Sequence, residues 1–275
     1  MHITAYTFAS SVKEFPKDLN YPKHRQAGGL KMNKLRILAA LIFSLLTVLP
    51  VQNCIAGDMP INLLPMYGAP EVVKTDEQKK SDEVFIETAT QSCGSRQKAA
   101  VVIFYEGGRY LSEGDLDNAM RRFNQSWLLD PENYMSYWGY GKIFMKKLMM
   151  EKSIGYFERS LLLIDLNPIA DLAQNKPLLL TDVAIAYSIA SIIDKSKAAD
   201  YREKSYNLFQ KAIQLYPDFL PAYKVSIDFY ILNKEYAKAW DVVHKARKAG
   251  IQDLPEKRLN ELAEKMPELQ QRKIP

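Results

Sequence analysis

The stretch that decides the fold is AVVIFYEGGRYLSEGDLDNAMRRFNQSWLLDP, residues 100–131. Small and aromatic residues fall in it at the spacing of two short helices joined by a turn, with Gly114 and Asp115 at the turn. Pro131 ends the stretch, and proline cannot continue an α-helix because it lacks the amide N–H. The stretch therefore predicts one helix–turn–helix unit.

The same spacing recurs downstream of this first copy. A second copy begins at Tyr134 and a fourth at Leu220. The third is irregular, with a first helix from about Leu178 to Ile193 and an inserted loop around Lys195. Helical periodicity continues to about Met266, without an alternating strand pattern. We therefore expect an all-α fold in which residues 95–275 form a helical repeat domain.

The recurring positions carry small residues where two helices would cross and aromatic residues beside them. They are Gly107, Tyr110, Ala119 and Phe123 in the first copy, and Gly141, Phe144, Ser153 and Phe157 in the second. This pattern resembles the tetratricopeptide repeat family over roughly residues 98–251. The resemblance implies an α-solenoid of antiparallel helix pairs, about four repeats long, with a capping helix over Pro255–Met266.

The resemblance also implies a binding groove, because the first helices of successive repeats line a concave face. The residues expected to line it are Phe104, Leu111, Met135, Trp138, Lys142, Met145, Lys146, Tyr187, Lys224 and Asp228. Such a groove binds a protein or peptide by shape and side-chain complementarity. The alternative is that Trp138 and Met145 simply pack against a neighbouring helix or the N-terminal segment.

The beginning of the chain has the pattern of a targeting segment. Met32–Arg36 is basic, the next fifteen residues form an almost unbroken apolar run without charge, and small residues lead up to Ala56. This predicts a signal peptide over 32–56 that is cleaved between Ala56 and Gly57, and a periplasmic or secreted protein of the bacterial cell envelope. Residues 1–31 are then a disordered or mis-assigned extension. We expect membrane contact only if the leader stays uncleaved or Cys54 carries a lipid.

The charge of the chain is concentrated in this leader. The whole chain has a formal net charge of +5, and residues 1–56 hold seven basic and two acidic residues. The remainder is therefore net neutral. A neutral body gives no reason to expect nucleic acid as a partner, since nucleic-acid binding needs a concentrated basic face.

The sequence after the leader lacks the residue patterns of catalysis. It keeps one cysteine, Cys93, and one histidine, His244, which are too few for a zinc site. The segment from Gly139 to Lys142 lacks the earlier glycine and the following Ser or Thr of a phosphate loop. We expect a non-enzymatic binding scaffold without a cofactor. The alternatives are an envelope assembly factor tethered by membrane or lipid, and an enzyme with a helical-repeat body.

Residues 57–94 are expected to form an extended lead-in and a short helix that begins at Ser81 or Asp82. The run Ile61–Tyr67 is apolar, and an exposed run of this kind favours aggregation. We therefore expect it to cover the repeats, docked in their groove, or to bind the partner.

The leader hypothesis predicts that the exported protein begins at Gly57, because small residues precede the expected cleavage point. Mass spectrometry of the protein recovered outside the cytoplasm measures this N-terminus. A mature form that retains His2 would contradict export.

Overall fold

A computed structural model describes residues 60–166 and 175–268. The extension 1–31, the signal peptide 32–56 with Cys54, and the cleavage site at Ala56 and Gly57 lie outside the described residues. Within the described ranges every regular element is a helix and no strand occurs. The predicted all-α class is therefore confirmed.

Two 3₁₀ turns, Ile61–Leu63 and Pro65–Gly68, precede ten α-helices. The helices are α1 (Asp76–Cys93), α2 (Arg96–Glu113), α3 (Leu116–Leu129), α4 (Tyr134–Lys146), α5 (Met150–Leu166), α6 (Asn175–Ile193), α7 (Ala198–Leu215), α8 (Leu220–Leu232), α9 (Tyr236–Lys248) and α10 (Glu256–Lys265). From α2 to α9, neighbours along the chain pack in pairs, while α10 packs against α8 and α9.

Helix α1 begins earlier than the sequence analysis predicted. Thr75 is its N-cap: the Thr75 side chain accepts a hydrogen bond from the Gln78 N–H at 3.3 Å, and the Gln78 side chain accepts one from the Thr75 N–H at 2.9 Å. This reciprocal capping box satisfies two backbone donors that a helix start otherwise leaves unpaired. The predicted start at Ser81 or Asp82 is therefore wrong, and the charged residues from Asp76 onward are helical.

Buried serines show that paired helices run antiparallel. Ser153, near the start of α5, donates to the Gly141 carbonyl near the end of α4 at 2.8 Å. Ser160, farther along α5, donates to the Tyr134 carbonyl at the start of α4 at 2.8 Å. In α2 and α3, the start of one helix meets the end of the other, since Arg96 Nε donates to the Leu129 carbonyl at 3.0 Å.

The alternation of direction continues along the array. At the junction of α5 and α6, Lys176 Nζ lies 2.5 Å from Asp165 Oδ1. Ser205 of α7 donates to the Ala184 carbonyl of α6 at 2.9 Å. Rings from the middle of α7 and the second half of α8 pair as Phe209 with Phe229 and Tyr206 with Tyr230. The odd-numbered helices from α3 to α9 therefore run opposite to the even-numbered ones.

Three helices approach one another closely at Phe123. A Cβ added at Gly107 of α2 would lie 2.5 Å from a Phe123 ring carbon, and one at Gly139 of α4 would lie 2.6 Å away. Gly141 meets Phe157 of α5 in the same way, at 2.4 Å. Real Cβ atoms do not approach this closely, so these crossings require glycine.

Four of the inter-helix turns have the same backbone geometry. Each helix is followed by a left-handed residue, with φ of 86° at Gly114, 57° at Leu148, 60° at Lys234 and 82° at Gly250. The next amide then closes the turn onto a carbonyl five residues earlier, from Asp115 to Tyr110, from Met149 to Phe144, from Glu235 to Tyr230 and from Ile251 to Ala246. This bond satisfies a carbonyl that the helix end leaves unpaired.

Helix α6 is long and apolar enough to cross a membrane, by length and composition alone. Its most apolar window is 72% buried inside the protein. Burial against neighbouring helices accounts for this composition, because core helices are apolar on every side.

We predict that Gly107→Ala and Gly139→Ala each lower the free energy of unfolding by about 1–3 kcal/mol, because the new methyl group overlaps the Phe123 ring. Denaturant unfolding followed by circular dichroism measures this. Gly155→Ala is the matched control: it lies in α5 with no atom within 4 Å of an added Cβ. It should raise stability by about 0.5–1 kcal/mol through helix propensity. Equal effects at all three sites would contradict the close crossing.

Candidate functional site

The ten predicted groove residues lie on the even-numbered helices α2, α4, α6 and α8. Eight of them are at most 9% exposed: Phe104, Leu111, Met135, Trp138, Lys142, Met145, Tyr187 and Asp228. The other two, Lys146 and Lys224, are half-buried. Each of these helices packs most extensively on an odd-numbered neighbour and also on the next even-numbered helix, and together these neighbours enclose the side chains.

A buried polar centre joins α4 to α6. Asp182 Oδ2 accepts a hydrogen bond from Trp138 Nε1 at 2.8 Å and lies 3.0 Å from Lys142 Nζ. Asp182 is 2% exposed and Lys142 is 8% exposed. A buried carboxylate is tolerated only when it is paired and hydrogen-bonded, and here it has both kinds of partner.

Aromatic contacts extend this centre to α2. The Phe104 ring stacks on the Trp138 indole with centroids 5.8 Å apart, and Lys142 Nζ lies 5.0 Å from the same indole. One turn farther along α4, burial and then the charge of Lys142 lower the pKa of Lys146. The centre thus connects three successive even-numbered helices.

These contacts correct the expectation of an open groove at these positions. Trp138 and Phe104 are engaged with each other, and Lys142 is engaged with Asp182, so none of the three is offered to a partner in this structure. The burial of Trp138 and Met145 agrees instead with the alternative that these two side chains pack against neighbouring helices. The groove role stays a prediction for the half-buried Lys146 and Lys224.

A second ionic cluster closes the C-terminal end. Arg258 Nε of α10 lies 2.8 Å from Asp228 Oδ1 of α8, and Lys224 Nζ lies 2.9 Å from Asp253 Oδ2. Burial raises the pKa of the Asp228 carboxyl, although Arg258 acts in the opposite direction. Asp228, predicted as a groove residue, therefore holds the last helix against the array, and Lys224, also predicted for the groove, pairs with the segment that precedes this helix.

The apolar lead-in covers the array, although not at the predicted groove residues. Asn124 of α3 donates through Nδ2 to the carbonyls of Asn62 at 3.0 Å and Leu64 at 2.8 Å. The hydroxyl of Tyr140 accepts from the Met66 N–H at 3.2 Å and donates to Asn124 Oδ1 at 2.8 Å. Docking in the groove is thus wrong, and the docked surface belongs to α3 and another side of α4.

Docking of the lead-in creates a cleft of about 410 Å³. Its walls come from the lead-in, α1 and α3, and are formed by Ile61, Asn62, Tyr67, Lys74, Gln78, Ser81, Asp82, Phe85, Arg121, Gln125 and Leu128. This volume is within the range of pockets that hold small ligands or individual side chains of a larger partner.

The cleft combines charged and apolar walls. Lys74 pairs with Asp82, and its Nζ lies 3.5 Å from the centre of the Tyr67 ring. Burial and the charge of Asp82 raise the pKa of Tyr67. Asn62 Oδ1 is buried and accepts no hydrogen bond from the described residues. A buried acceptor is costly to leave unpaired, and this oxygen has almost no surface through which a ligand could reach it.

Metal chemistry receives no support from the part of the chain that the structure describes. Within 60–166 and 175–268, no group of three or more His, Cys, Asp or Glu side chains is placed to hold a metal ion. Cys93 is a free, half-buried thiol.

Sequence reasoning missed Asp182, Asn124 and the cleft. A carboxylate in the apolar run of α6 was the available signal for Asp182, because such a residue needs a buried partner. Thr75 and Gln78 have the spacing of a capping box and would have given the start of α1. The cleft has no local signal, because its walls are far apart in the sequence.

No family model matches this chain, and no curated protein matches it either.

We predict that Asp182→Ala lowers the free energy of unfolding by about 3–5 kcal/mol, because it leaves the Lys142 ammonium buried without a counter-ion. Thermal and denaturant unfolding measure the loss. The double variant Asp182→Leu/Lys142→Met should recover most of it, since it removes both charges. Lys204→Ala, which breaks the exposed pair with Asp200, is the control and should have no measurable effect. A double variant as unstable as Asp182→Ala would contradict the role of the unpaired charge.

Proposed function

We propose that this chain is a tetratricopeptide-like protein of the bacterial cell envelope that binds a protein or peptide partner without chemical turnover. Its geometry is consistent with the repeat pattern. The closed turns after Tyr110, Phe144 and Tyr230 fall at equivalent positions of the first, second and fourth copies. Such stacks of paired helices usually serve as binding surfaces.

A second recurrence also supports repeats. Tyr137 donates through its hydroxyl to the Pro131 carbonyl at 3.0 Å, and Tyr223 donates to the Pro217 carbonyl at 3.0 Å. Each tyrosine is the fourth residue of its copy, and each proline ends the preceding copy. The second and fourth copies are therefore joined to the preceding copies by equivalent hydrogen bonds.

The cleft between the lead-in, α1 and α3 is the observation on which the binding site rests. It has the volume for one or a few side chains of a partner, an apolar wall that includes Phe85 and Leu128, and a guanidinium at Arg121. We therefore place the first contact with the partner here rather than at the enclosed Trp138 and Lys142.

Envelope localisation is carried by the leader sequence alone. The signal-peptide pattern over 32–56 supports export, and a retained leader or a lipid on Cys54 gives the tethered alternative. Fractionation after lysis separates the two, because a tethered chain sediments with membranes.

We predict that a photo-crosslinking residue at Gln125, in the cleft, forms a covalent adduct with the partner in intact cells. The same residue at Gln214, exposed on α7, is the matched control and should form none. Mass spectrometry of the adduct identifies the partner. Placing the probe at Lys146 tests the groove in parallel.

Filling the cleft provides the second arm of this test. Ser81 is exposed and lines the cleft, so Ser81→Trp should block it without disturbing the core. The adduct at Gln125 should then disappear while helical content is unchanged. Crosslinking at Gln214 equal to that at Gln125 would argue against a binding site here.

A further inference from the structure

The turns that follow α4, α6 and α8 lie at one end of the array, the same end as the acidic turn that follows α2. Because successive helices alternate in direction, the C-terminal ends of α4, α6 and α8 point the same way. An ion pair of 2.9 Å between Glu151 Oε1 and Lys197 Nζ joins the first turn to the second, and α8 packs on α6 beside them. We call residues 146–152, 192–197 and 232–238 the turn edge.

The turn edge exposes large apolar side chains at every turn. The exposed fraction is 58% for Leu148 and 42% for Met149 at the first turn, 43% for Ile192 and 54% for Ile193 at the second, and 43% for Leu232 at the third. Leu148 also has a positive φ of 57°. A β-carbon makes this conformation unfavourable, so neither burial nor the backbone explains leucine at the tip.

Lysines surround these apolar tips. The three stretches of the turn edge contain seven lysines and three acidic residues. The exposed lysines are Lys147, Lys152, Lys195, Lys197, Lys234 and Lys238. All three acids are paired within the edge, Glu151 and Asp194 with Lys197 and Glu235 with Lys238. The turn edge is therefore net positive, whereas the chain after the leader is neutral.

We propose that the turn edge docks on the surface of an anionic lipid bilayer. In this arrangement the apolar tips enter the headgroup region and the lysine ammonium groups pair with lipid phosphates. Long lysine stems suit this position, since they bury their methylene groups while the charge stays at the interface. This contact involves the folded domain and does not depend on the leader or on Cys54.

Charge and shape favour lipid over another macromolecule. A second copy of this chain would bring the same positive charge against the edge. A protein interface usually has a continuous apolar centre with a polar rim, whereas these five apolar side chains are divided among three tips with lysines between them. Separate apolar tips in a basic field fit a fluid anionic surface better.

The test places an environment-sensitive fluorophore on single cysteines in the full chain, with Cys54→Ser and Cys93→Ser as background. Leu148→Cys and Ile193→Cys report from the turn edge. Leu215→Cys, 50% exposed at the opposite end of α7, is the matched control. With vesicles of mixed phosphatidylcholine and phosphatidylglycerol, the emission at 148 and 193 should shift to the blue and be quenched by brominated acyl chains, while that at 215 stays unchanged.

Charge reversal supplies the second readout. Lys195→Glu with Lys234→Glu should raise the anionic lipid concentration needed for half of the shift at 148 by about thirtyfold or more, because two attractive charges become repulsive. Pure phosphatidylcholine vesicles should give a much weaker shift. Circular dichroism confirms that these exposed substitutions leave the helices intact.

Three outcomes would overturn the proposal. Equal shifts at 148 and 215 would mean that the chain reaches the vesicle through another segment, such as the leader. Equal shifts with anionic and neutral vesicles would remove the role of the lysines. A shift at 148 with polyglutamate but not with vesicles would assign the edge to an acidic protein.

Discussion

The closeness of paired helices at Phe123 is the constraint on which the rest of the structure depends. The Phe123 ring fits between α2 and α4 only because Gly107 and Gly139 lack a Cβ. Close crossing in turn lets hydroxyls such as Ser153 reach carbonyls of the adjacent helix, at 2.8 Å. Packing and buried hydrogen bonding are therefore consequences of the same small-residue positions, and loss of one weakens the other.

Close packing also decides where polar groups can be used. At the even-numbered helices, Asp182 pairs with Lys142 and accepts a hydrogen bond from Trp138. These polar groups therefore hold the helices together and are not available to a ligand. At the periphery, by contrast, Arg121 and the exposed lysines of the turn edge face space that a ligand can fill. The interior gives this protein its shape, and its outer cleft and edge are the places where recognition can occur.

The sequence predicted the helices because periodicity, glycine spacing and terminal prolines act locally. The resemblance to the repeat family marked Gly107 and Gly141 as small positions where helices cross, with Phe123 and Phe157 among the aromatic residues beside the crossings. The candidate site was harder to predict from the sequence. Whether Trp138 faces a partner or Asp182 depends on how closely α4 and α6 approach, and no local sequence pattern encodes that distance. The docking place of the lead-in was predicted wrongly for a related reason. Asn124 donates to backbone carbonyls of the lead-in, and backbone groups are the same in every sequence.

The docked lead-in differs from the helices in the length of chain that its contacts close. Its hydrogen bonds to Asn124 and Tyr140 join residues 60 to 74 positions apart, whereas paired helices contact their immediate neighbours along the chain. Closing long loops costs more entropy and slows folding, so this segment is expected to attach after the helices have formed. It is also expected to detach first during partial opening. The cleft would then exist only in the fully assembled chain, so that ligand binding there reports completed folding.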